Sequence, residues 1–188
     1  NIFDKENPSE KRAFEALNQE HALPVDYFFR DETMREKELT NAGEKTYVIS
    51  PNNEQDKFSY GYMNCTGVVV VGRSKENGKE ISFMSHEDPQ MFLNNVKSKF
   101  TVDLERKIAE LKALSEDGTI DAVVFGGNYF KGMPSYIKDY LDSVKLLDKI
   151  IDKELGFSPV VLAGPNVVGG KQAIYFDTQH RRIYMLKP

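Results

Sequence analysis

Two side chains in this 188-residue sequence could together do nucleophilic chemistry: Cys65, its one cysteine, and His86, one of three histidines. A thiolate is a strong nucleophile, and a neighbouring imidazole can take its proton or lower its pKa. Each residue alone says little. A single Cys beside a run of valines is most often an inert small hydrophobe, and a lone His at a strand end is often a surface residue. Their placement joins them. Cys65 opens the run Cys65-Thr66-Gly67-Val68-Val69-Val70-Val71-Gly72, and His86 closes the run Glu80-Ile81-Ser82-Phe83-Met84-Ser85-His86. With the turn between them, the two runs read as a β-hairpin. If Ser74 to Asn77 form a four-residue loop between Arg73 and Gly78, Cys65 faces His86, with Cβ atoms about 4.5–5.5 Å apart. If Asn77-Gly78 is a two-residue turn, Cys65 faces Gln90 and His86 faces Val69. The alternation of side chains fits both registers equally.

Patterning also defines the elements that must hold this pair. Four consecutive valines mark a strand buried on both faces. Strands are expected at 47–49, 65–72, 80–86, 120–125, 160–162, 173–176 and 183–186, with a polar loop leading into Phe58-Ser59-Tyr60-Gly61-Tyr62. Asp88-Pro89 reads as a helix start. Leu104, Ile108, Leu111 and Leu114 give an apolar face to a helix near 102–115, and Ile137, Leu141, Val144, Leu147, Ile151 and Leu155 do so for one near 135–155. Pro134 opens the second helix and Gly156 caps it. The fold class expected is mixed α/β, with largely antiparallel strands flanked by helices. Residues 1–44 are charged, with Phe14, Leu17, Phe28 and Phe29 among them. They read as a helical extension packed outside a single domain spanning 45–188.

Composition narrows the function classes. The formal net charge is −4, which argues against a nucleic-acid surface. No apolar run approaches the length needed to span a bilayer, so no membrane insertion is expected. His21, His86 and His180 are far apart in sequence, and no metal site is expected. Gly126-Gly127 and Gly169-Gly170 lack the spacing of a nucleotide fingerprint and read as tight turns, so no cofactor is expected. Residues Asn1 to Asn18 are polar and read as no secretory signal. A cytoplasmic location is expected, with a removed leader or a secreted effector as the alternative.

From Thr46 onward the order of motifs resembles the CheD family of chemoreceptor glutamine deamidases, whose Cys/His core is shared with cytotoxic necrotizing factor and related toxins. The motifs are the short strand Tyr47-Val48-Ile49, then Asn64-Cys65, Val68 to Val71, His86, Ala122-Val123-Val124-Phe125-Gly126-Gly127, Gly169-Gly170 and Phe176-Asp177-Thr178. The resemblance implies a cysteine-dependent amide hydrolase that acts through a thioester, on a protein substrate presenting an exposed glutamine. It implies Cys65 as nucleophile and His86 as acid and base. Ser59 stands six residues before the Cys, where the family has a Thr that orients the imidazole. Asn64 and Thr66 are the expected oxyanion and substrate-positioning residues, beside the Cys65 N–H. The sequence departs from the family where Tyr62-Met63-Asn64 precedes the Cys and Glu87-Asp88-Pro89 follows the His. Residues 1–44 have no counterpart in the family. The same dyad would serve a cysteine peptidase or a transglutaminase, and a scaffold with an unused Cys65 would be a protein-binding module.

Overall fold

In the computed structural model, the described residues are 48–188 without Val96, Tyr129, 164–171, 187 and 188. The expected helical extension at 1–44 lies outside them. Along the chain run β1 (Val48–Ile49), β2 (Lys57–Tyr62), β3 (Thr66–Arg73), β4 (Glu80–His86), α1 (Lys99–Leu114), β5 (Asp121–Gly126), α2 (Pro134–Leu155), β6 (Val160–Ala163), β7 (Gln172–Asp177) and β8 (Arg182–Leu186). The class is mixed α/β, as expected. Among the described residues no helix is long and apolar enough to cross a membrane.

The strands form two sheets. One has five strands in the order β1-β4-β3-β5-β6, and the other has three in the order β2-β7-β8. All pairings are antiparallel except β5 with β6, which α2 connects as a crossover. The valine run explains the layering. Val68 and Val70 point into a core with Leu104, Ile108 and Leu111 of α1 and Leu147 and Ile151 of α2. Val69 and Val71 point the other way, into a second core with Met84, Phe125 and Leu162 and with Tyr62, Ile174 and Phe176 of the small sheet. The four valines are at most 3% exposed, so β3 is sandwiched on both faces. The order of layers is helices, large sheet, small sheet.

Three local expectations are corrected. Asp88-Pro89 opens only a 3₁₀ turn, Pro89–Met91, with Asp88 accepting from the Gln90 N–H at its N-cap. The run Phe58 to Tyr62, not expected among the strands, forms strand β2 from Lys57, because the distant β7 offers it a partner, Tyr175 facing Phe58. Leu114, expected on the buried face of α1, is 45% exposed at its last position. Gly156 caps α2 as expected, with φ 81° and its N–H bonded to the Asp152 carbonyl at 2.8 Å.

The layer between the sheets holds a charged side chain. Lys57 pairs with the core residue Phe176 and is 3% exposed, with its Nζ bonded to Asn53 Oδ1. Burial pushes its pKa down to about 8, against the opposing pull of Asp56. The folded value lies below the unfolded 10.5, so the unfolded chain holds the extra proton between these pH values and wild-type stability rises with pH across them. Lys57→Met removes the buried charge and is expected to be more stable than wild type at pH 7. Urea melts should show that advantage shrinking by up to about 3 kcal/mol as pH rises through this window; an advantage independent of pH would contradict the burial account.

Candidate active site

His86 ends β4 at the seam between the two sheets, and Ser59 and Tyr62 hold its ring. Ser59 Oγ lies 2.9 Å from Nδ1. The Tyr62 ring stacks on the imidazole with centroids 4.0 Å apart and planes 20° apart. Phe125 meets Tyr62 edge-on at 5.1 Å, and the Tyr62 hydroxyl donates to the Ser85 carbonyl at 2.9 Å. Ser59 and Tyr62 are both 0% exposed.

Ser59 and Tyr62 are three positions apart on one strand. In a regular strand an odd separation puts side chains on opposite faces. Gly61 resolves this. Its φ is +86°, and the pairing of β2 with β7 shifts between Tyr60 and Tyr62, which marks a β-bulge there. The extra residue turns Tyr62 back toward the inter-sheet layer, where Ser59 already points. The sequence signal is a glycine inside an aromatic run, which the expected strands did not include.

The hairpin register differs from both sequence readings. Val69 pairs with Met84, Arg73 with Glu80, and Thr66 bridges to Glu87. The loop does have four residues, but it is 75–78, closed by Ser74 N–H to the Lys79 carbonyl at 2.8 Å. Gly78 cannot be the first paired residue, because it sits inside the turn at φ +71°. Continuing the register, His86 lies opposite Gly67 and Cys65 opposite Asp88. Cys65 is therefore not directly across from His86, as one reading required. It is a diagonal neighbour on the same face, where Cβ separations run to about 7 Å. Phe125 packs over Gly67 between them, where a Cβ would stand 2.4 Å from the Ser85 carbonyl oxygen and 2.6 Å from the Phe125 ring. Cys65 is half-buried, packs against the inter-sheet core and has no hydrogen bond to His86 among the described residues.

The other expected residues divide. Thr66 begins β3 and pairs with Glu87 through two backbone hydrogen bonds, so its side chain faces away from Cys65, and its buried hydroxyl has no partner among the described residues. Asn64 is half-buried in the turn before Cys65. The Gly126-Gly127 turn grips the site from behind. Gly127 N–H donates to the Cys65 carbonyl at 2.7 Å. A Cβ on Gly127 would lie 2.0 Å from the Tyr140 ring, and its φ is +77°, so glycine is required there for space and for backbone.

Burial dominates the electrostatics. It pushes the Cys65 thiol up to about 12, with the charges of Asp88 and then Glu87 adding to the effect. It pushes His86 down to about 4 and Glu87 up to about 7. At neutral pH the resting pair is thus a neutral thiol and a neutral imidazole. Among the described residues no group of three or more His, Cys, Asp or Glu is placed to hold a metal ion.

No family model and no curated protein matches the chain. The resemblance therefore rests on the residues quoted above.

Two outcomes follow from this geometry. In the folded protein the His86 imidazole should titrate near pH 4 by NMR, and the unfolded chain near 6.5. The unfolded state binds that proton first, so wild-type stability is lost as pH falls from 6.5 toward 4, and His86→Gln should remove that part of the acid sensitivity. Gly61→Ala meets open space but a left-handed backbone. It should cost about 1 kcal/mol and, by unseating Tyr62, move the His86 midpoint upward; an unchanged midpoint would show that the bulge does not set the stack.

Proposed function

We propose that this domain is a cysteine-dependent amide hydrolase that deamidates a glutamine side chain of a protein substrate. The observation that carries the reading is the Ser59–His86 hydrogen bond at 2.9 Å, formed in the same layer as the half-buried Cys65. It supplies the third member that orients an imidazole, at the position where the resemblance puts a Thr.

The chemistry runs as follows. With Ser59 Oγ accepting from Nδ1–H, Nε2 keeps its lone pair and serves as the base. It takes the Cys65 proton, and Sγ attacks the carboxamide carbon of the glutamine. The Cys65 N–H and the Asn64 amide are the donors available to the oxyanion. His86 returns its proton to the nitrogen, the C–N bond breaks and ammonia leaves. A water deprotonated by His86 then cleaves the thioester, giving a glutamate carboxylate and the free thiol. Ser59 is a positioning residue, since it acts through His86. A second reading, a protein-binding module with an unused thiol, is favoured by the neutral resting state of the Cys65–His86 pair.

Ammonia release and a gain of about 1 Da per converted amide, from the exchange of NH2 for OH, separate the two readings. Cys65→Ser and His86→Ala should each lower the rate by about a hundredfold or more. Ser59→Ala should lower it about tenfold and shift the pH profile, while Ser59→Thr restores both. A Cys65→Ser variant as active as wild type would end the hydrolase reading.

A further inference from the structure

We infer that the groove between α2 and the turn after β4 docks an acidic segment of a partner protein, with carboxylates on Lys145 and Lys149 and an apolar side chain on Leu93 and Leu146. This surface goes beyond the hydrolase reading and does not rest on it.

The groove has a volume of about 480 Å³. One wall is Gln90, Leu93 and Asn94, and the other is a stripe of α2. On that stripe Lys138, Asp142, Lys145 and Lys149 recur at helical spacing. The acids of the groove are already engaged. Gln90 Nε2 donates to Asp139 Oδ2 at 2.6 Å, and Lys138 pairs with Asp142. The two lysines farther along are not. Lys145 and Lys149 stand one turn apart and exposed, and neither has an acid or carbonyl partner among the described residues. Other lysines of the two helices do. Lys107 pairs with Glu110, Lys153 with Glu105, and Lys112 donates to the Glu154 carbonyl. The groove thus keeps two adjacent cations without counter-charge, in a chain whose net charge is −4.

The rest of the lining selects the kind of anion. Leu93 and Leu146 pack against the core beneath and give the groove an apolar floor. The Asn94 amide has no partner among the described residues, and Gln90 spends only its Nε2 on Asp139. Both can bond a peptide backbone, which offers a donor and an acceptor at each residue. A nucleic acid fits less well, because Asp139 and Asp142 interrupt the row of lysines that a phosphate backbone would follow. An acidic residue beside an aliphatic one matches both the lysines and the floor.

The test uses three fluorescein-labelled peptides, alike except for a central Glu-Glu-Leu, Lys-Lys-Leu or Glu-Glu-Ser. Each is titrated into the full chain at low salt, where exposed charges are least screened, and followed by anisotropy. The Glu-Glu-Leu peptide should bind at least about tenfold more tightly than the Lys-Lys-Leu peptide and about threefold more tightly than the Glu-Glu-Ser peptide. Lys145→Glu combined with Lys149→Glu should reverse the charge preference. The same change at Lys75 and Lys79, exposed at the β3–β4 turn, should leave it in place. Equal binding of the three peptides, no binding of any, or an equal loss in the two double variants would overturn the inference. So would a single-stranded oligonucleotide that displaces the Glu-Glu-Leu probe at a lower concentration than the unlabelled peptide does.

Discussion

The hydrogen bond between Ser59 and His86 crosses between two sheets, and its formation depends on three separate registers. The pairing of β2 with β7 sets which way Ser59 points. The pairing of β3 with β4 sets where His86 ends. The bulge at Gly61 then lets Tyr62 face the same ring as Ser59. A slip of one residue in any of them would send a side chain to the wrong face. The two hydrophobic cores on either side of β3 hold these registers, so the valine run that makes the sheet also positions the site. Geometry here is a product of packing rather than of local hydrogen bonding.

The same packing has an electrostatic consequence. Taking Cys65, His86 and Glu87 out of water pushes all three toward their neutral forms. A buried pair that is neutral at rest is stable and unreactive. If it is catalytic, charge separation must be favoured when substrate arrives and water leaves. The charges of Asp88 and Glu87 oppose the thiolate as well.

Much of the fold was legible because its signals are local. The valine run, the apolar faces of α1 and α2 and the glycine after α2 each report on their own segment. What the sequence left open was non-local. Strand β2 exists because β7 is there to pair with it, and nothing between residues 57 and 62 announces that partner. The hairpin register turned on whether Gly78 lay in the loop or in the strand, which is a question of one backbone angle. Ser59 could be named only through the resemblance. Tyr62, which stacks on the imidazole, and Phe125, which meets Tyr62 edge-on, were not named as site residues, because aromatic side chains carry no signature of their own. Thr66 was named for its adjacency to Cys65, but adjacent strand positions point apart.

The central claim is that Cys65 forms a covalent thioester with a glutamine side chain. Intact-mass analysis of wild-type protein, acid-quenched within seconds of mixing with a glutamine-bearing peptide, tests it directly. The account predicts an adduct on Cys65 weighing the peptide less ammonia, roughly 17 Da below its full mass, absent in Cys65→Ser and lost on treatment with hydroxylamine. Ammonia released by wild type and Cys65→Ser at the same rate, with no adduct on Cys65 at any quench time, would contradict it.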